Sequence, residues 1–124
     1  MAKSVHDDVL DGALTVIRDG CDKMTACSAE PASFADGNAT LALADAAMAP
    51  ADFTVANGDT SGRKLTVAAK SGVPVDASGT ANHVALLDTV NARLLYVTTA
   101  TAQALTAGNT ITFNAWDIEI ADPA

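Results

Sequence analysis

Aromatic and basic side chains are scarce in this chain. Only five aromatics occur, Phe34, Phe53, Tyr96, Phe113 and Trp116. Much of the apolar content is alanine, so a core has to be built from Val, Leu and Ile, with small residues letting sheets approach closely. Seven Lys and Arg stand against fifteen Asp and Glu, a formal net charge of −8. Residues 1–62 carry ten acids and three bases, residues 63–124 five and four. Four scattered bases give no footprint for a phosphate backbone, which argues against nucleic acid as a partner. No apolar run approaches the roughly 20 residues of a membrane span. Met1-Ala2-Lys3-Ser4 leads straight into acids, without the apolar stretch and cleavage site of a secretory signal. A soluble chain made in a cytoplasm, with no membrane partner, is the expectation. The two cysteines, Cys21 and Cys27, lie in a C-x5-C spacing that fits neither a zinc knuckle nor a redox C-x-x-C pair. Two buried free thiols serving as small hydrophobes are expected.

The 124 residues suit a single domain, 1–124, with a helix over about 4–19 and a β-rich body over about 23–121. Ser4 is a candidate N-cap, with Asp7 in a capping-box position and Asp8 in the first turn. Val5, Val9, Leu10, Ala13, Leu14 and Ile17 share one face, and Gly20 is the expected C-cap. The opposite face shows Asp7, Asp8, Asp11, Thr15, Arg18 and Asp19: a solvated surface, or a docking face for a basic partner. Lys23 to Ser28 reads as a strand closed by Glu30-Pro31, and residues 31–40 as a polar loop. Thr40 to Met48 fits a short strand or a helical turn equally well. Phe53-Thr54-Val55 is a brief strand before the turn Asn57 to Gly62. Arg63 to Lys70 alternates as a half-buried strand, broken by Ser71-Gly72 and Pro74.

In Thr80 to Asp88 the run Val84-Ala85-Leu86-Leu87 is apolar on both faces, as in a strand covered by two layers. Asp88 to Ala92 connects it to Leu94-Leu95-Tyr96-Val97, predicted to return antiparallel as a hairpin. The stretch Thr98 to Ala107 is biased toward Ala and Thr. A turn over Leu105 to Asn109 then leads into Asn109–Ala121. There Ile111, Phe113 and Ala115 share one parity, and Trp116, Ile118 and Ile120 the other. For both sets to face the core, the strand must bulge or bend sharply near Asn114–Trp116. The pattern as a whole predicts a mainly β fold, an antiparallel β-sandwich or flattened barrel with one N-terminal amphipathic helix.

Candidate chemistry is thin. His6 sits in a helix first turn beside Asp7 and reads as solvated; His83 reads as a hydrogen-bonded strand residue. Asp117 and Glu119 occupy one strand face as a potential carboxylate pair, but it is the polar side of a half-buried strand and has no His or Lys partner in the local sequence, so unpartnered, solvated acids are expected. Asn57 to Ser61 has one carboxylate and lacks the ligand spacing of an EF-hand. No glycine-rich phosphate loop occurs. A hydrolase would need His83 beside Asp117 or Asp88 with a nucleophile in a closed pocket. No catalytic, cofactor-binding or metal-ligating residue is assigned, and no enzyme is expected.

Several pieces, in order, carry a resemblance. They are the helix Val5–Ile17 with the strand Met24-Thr-Ala-Cys-Ser-Ala-Glu-Pro31, then Gly79-Thr-Ala-Asn-His-Val-Ala-Leu-Leu-Asp88. Leu94-Leu-Tyr-Val97, Leu105-Thr-Ala-Gly-Asn-Thr110 and Trp116-Asp-Ile-Glu-Ile120 follow. Spanning most of the chain, this layout resembles small virion structural proteins of tailed bacteriophages, a set that includes head decoration and tail-associated proteins. The resemblance implies a non-enzymatic particle component without cofactors, located in the virion. It would be a capsid decoration (cement) protein bound to the major capsid protein, or else a tail or fibre component in tail assembly or host contact. It also implies a homo-oligomer, with a trimer suited to quasi-threefold lattice positions.

Overall fold

In the computed structural model, which describes residues 4–123, helix α1 spans Asp7–Gly20. It starts later than the Ser4 signal implies because His6 takes the capping role. The His6 backbone is extended, and its Nδ1 accepts the Asp8 amide at 3.1 Å. At the other end Gly20 remains helical, and the extended Cys21 caps the helix by donating its amide to the Ile17 carbonyl at 2.8 Å. Gly20 is instead a point of close approach, since a Cβ there would lie 3.0 Å from Arg93 Nη2 and 3.3 Å from Asp88 Oδ2. The core-facing stripe is narrower than the periodicity suggests. Leu10 and Leu14 are buried and Ile17 packs on the core, whereas Val9 and Ala13 face outward.

Among the described residues nine strands follow: β1 (Lys23–Cys27), β2 (Ala42–Ala47), β3 (Phe53–Asn57), β4 (Arg63–Val67), β5 (Lys70–Pro74), β6 (Gly79–Asp88), β7 (Arg93–Leu105), β8 (Thr110–Phe113) and β9 (Trp116–Ile120). They pair antiparallel in three sheets, with orders β2-β1-β6-β7, β3-β4-β9 and β5-β8. The fold is therefore mainly β, sandwich-like, with one N-terminal helix. Leu14 of α1 meets Met24, Leu86, Phe53, Leu65, Val73, Phe113 and Ile118 in one cluster that draws on every sheet. A smaller cluster of Cys27, Ala85 and Leu87 lies apart from it, covered by Phe34, Leu41, Leu94 and Val97. Leu86 thus belongs to one cluster and its neighbours Ala85 and Leu87 to the other, which is why this run is apolar on both faces.

Within Thr40–Met48, Ala42–Ala47 form the strand β2. Residues 31–40 depart from a plain loop, because Asp36–Thr40 form a π-helical turn. Its Gly37 carbonyl accepts the buried Thr25 hydroxyl at 2.8 Å, and a Cβ on Gly37 would come within 3.1 Å of Leu87. The segment 70–74, expected to break a strand, is the strand β5. Gly72 at φ +65° accompanies a register shift between Lys70 and Val73, and the two-stranded β5–β8 ladder tolerates Pro74 on its edge. The closing run does bend, and further than a bulge: chain pairing stops at Asn114–Ala115, with β8 before the break joined to β5 and β9 after it joined to β4. Phe113 and Ile118 are buried and Trp116 half-buried, all against the main cluster.

Candidate functional site

The β6–β7 hairpin is closed by a buried carboxylate. Asp88, 1% exposed, accepts the Val90 and Asn91 amides at 3.1 Å each and Asn91 Nδ2 at 2.9 Å. Arg93 adds Nε at 3.1 Å and Nη2 at 2.8 Å. Hydrogen bonds from Asn91 and Arg93 lower its pKa from 3.8 to about 2, against the opposing effect of burial. Every oxygen lone pair in easy reach is already engaged, so Asp88 is a turn anchor and has no proton to exchange near neutrality.

His83 lies five residues away on β6, half-buried, with Nδ1 2.6 Å from its neighbour Asn82 Oδ1. It lines a groove of about 460 Å³ that enters the sandwich between β7 and the β8–β9 run. Thr98, Gln103, Phe113, Trp116 and Ala26 are among the residues that line it. Trp116 packs against Tyr96 with ring centroids 5.9 Å apart, and its indole N–H is buried without an acceptor among the described residues. Asp117 lines the same groove, yet no ion pair joins it to His83 among the described residues. His83, Asp88 and Asp117 are not brought into one constellation.

Asp117 and Glu119 do have partners, contrary to the expectation of unpartnered acids. Lys64 on β4 stands opposite Glu119 in register, and its Nζ lies 3.7 Å from Asp117 Oδ2 and 2.8 Å from Asp59 Oδ1. Thr66 donates its hydroxyl to Asp117 Oδ1 at 2.8 Å, and the Asp59 amide donates to Glu119. The outer face of this sheet is a tied polar ladder. His6 is the exposed cap already described. Cys21, at the cap of α1, and Cys27, the last residue of β1, are free and buried in different clusters. Burial pushes the Cys21 thiol up to about 11 and raises Cys27 as well. Among the described residues no group of three or more His, Cys, Asp or Glu converges as a metal site.

Two surfaces escape a residue-by-residue reading of the sequence. The large hydrophobics exposed among the described residues are Val9 at 65%, Val16 at 49% and Val90 at 84%. Val16 and Val90 line a shared open depression of about 630 Å³ between α1 and the β6–β7 turn. Gly12 sits in the middle of α1, and a Cβ there would meet nothing within 4 Å, so no internal contact requires a glycine. The second surface is the outer half of β7, where Thr99 to Ala104 are all exposed. A sequence signal existed for it: Leu94 through Trp116 contain no charged residue. No family model matches the chain, and neither a curated protein nor a solved structure matches it.

Proposed function

We propose that this chain is a non-enzymatic virion structural protein, a capsid decoration protein that binds the major capsid protein and stabilises the phage head. The observation carrying the reading is the outward face of α1 and the neighbouring hairpin tip. Val9, Val16 and Val90 are held in water there at a cost in solvation, around a mid-helix glycine that lowers helix propensity and has no internal rationale. A partner that covers them removes the exposed apolar area. Gly12 and Ala13 allow it to approach closely, and the flanking Asp8 and Asp19 suit a surface carrying Lys or Arg. The order of motifs that resembles small phage structural proteins supplies the class of partner.

Deletion of the protein then lowers the temperature or osmotic shock at which particles lose their contents; unchanged tolerance refutes the cement role. Val16→Asp, at an exposed position, leaves the fold intact and abolishes incorporation into particles. Immunogold label lies over heads, whereas label confined to tails would replace this reading by the tail component.

A further inference from the structure

A sheet edge presents unpaired N–H and C=O groups, and proteins shield such edges with charges, proline, bulges or covering segments. β7 is the outer strand of β2-β1-β6-β7 and, at thirteen residues, the longest. Among the described residues no hydrogen bond outside the β6–β7 ladder involves the backbone of Leu94 to Ala104. The other edges are covered, charged or short, and β3 and β8, uncharged like β7 beyond Arg93, run only five and four residues. The Leu43 carbonyl of β2 accepts the Asp76 and Ala77 amides at 2.8 and 3.2 Å, β9 carries Asp117 and Glu119, and β5 carries Lys70 and Pro74. After Arg93, β7 has no charge, no proline and no glycine. Register shifts interrupt its ladder on either side of Tyr96 to Thr99, and leave those four residues paired without interruption to Leu86 through His83.

The distribution of charge selects the occupant. Two copies of a chain of net charge −8 repel wherever acids face acids. Along the uncharged stretch Leu94 to Trp116 they can meet without apposing like charges, while a basic partner would find nothing to pair with. We infer that β7 pairs antiparallel with β7 of a second copy, across a two-fold axis through Tyr96 to Thr99, extending the four-stranded sheet from one molecule into the next. The contact does not depend on the particle reading. Copies joined this way come in even numbers, so a lone trimer cannot arise from it.

Light-scattering mass of the purified chain over a concentration series tests this, at low and high salt. The mass rises from 12.5 kDa toward twice that value. Added salt moves the midpoint to lower concentration, because it screens the net repulsion while the contact has no ion pair to lose. Thr99→Lys, at an exposed position on β7, sets like charges close to one another across the axis and raises the midpoint about tenfold or more. Thr106→Lys, exposed in the turn after β7, leaves it unchanged. Hydrogen exchange slows, as concentration rises, at the alternate amides of Tyr96 to Thr99 that point away from β6. A single-copy or odd-numbered mass throughout, association that salt weakens, or equal loss in both lysine variants would overturn the inference.

Discussion

Replacing Gly62 by alanine tests how β9 is held against β4. Gly62 ends the loop between β3 and β4 at φ +71°, and its carbonyl accepts the Gly58 amide at 2.9 Å. A Cβ there would fall well inside contact with the Ile120 carbonyl oxygen and 2.9 Å from Ala121 Cα. Left-handed backbone costs an L-residue ~1–2 kcal/mol. Pushing the end of β9 aside also removes the Arg63–Ile120 pairing, a loss of about 1 kcal/mol for one net hydrogen bond. The sum is ~2–3 kcal/mol. With an unfolding entropy of roughly 2.1 cal/mol/K per residue, that lowers Tm by about 8–12 °C. Gly72, at φ +65° with nothing within 4 Å, isolates the backbone part, so Gly72→Ala loses only about 4–8 °C. Gly12→Ala, helical and unobstructed, gains about 4 °C from ~1 kcal/mol of helix propensity. Thermal unfolding followed by circular dichroism measures all three. Equal losses at positions 62 and 72 would refute the close approach of β9.

Two further outcomes follow from buried groups. Asp88 has a folded pKa of about 2 against an ordinary 3.8, so between those values the unfolded chain binds more protons and stability falls as pH falls. The contribution is intact above about pH 4 and fades toward pH 2. Denaturant melts at pH 5 and pH 2.5 should show a smaller difference in Asp88→Asn than in the parent, and an identical difference contradicts the assignment. Cys21 and Cys27, buried and with raised pKa values, stay unmodified by a thiol reagent at pH 7.5 in the folded protein, and two thiols react per chain in denaturant. Rapid labelling without denaturant would contradict their burial.

The elements that the sequence foretold are those whose cause is local. Apolar residues on both parities placed Val84 to Leu87 between two layers, and the parity switch at Ala115-Trp116 announced the bend. What stayed hidden depends on distant partners. Asp36-Gly37-Asn38 has loop composition, and its π turn is held by Leu87 and by the Thr25 hydroxyl. β5 is masked by Gly72 and Pro74 and is a strand because β8 pairs with it. Val9 and Leu10 are equally apolar, and only the position of the sheets decides which of them is buried. The acids of β9 looked unpartnered because Lys64 reaches them across the sheet rather than along the chain. The two candidate surfaces suffer the same limit: an uncharged run is visible in a sequence, but its exposure is not.

The pairing of Arg63 with Ile120 also orders events in time. During synthesis β3 and β4 emerge as a bare two-stranded hairpin, a unit only marginally stable by itself in water. Leu65 and Val67, each 0% exposed in the finished fold, lack the cover of Ile118 and Trp116 until β9 pairs. The closing strand therefore acts as a latch, a contact closed between residues about fifty positions apart in the chain.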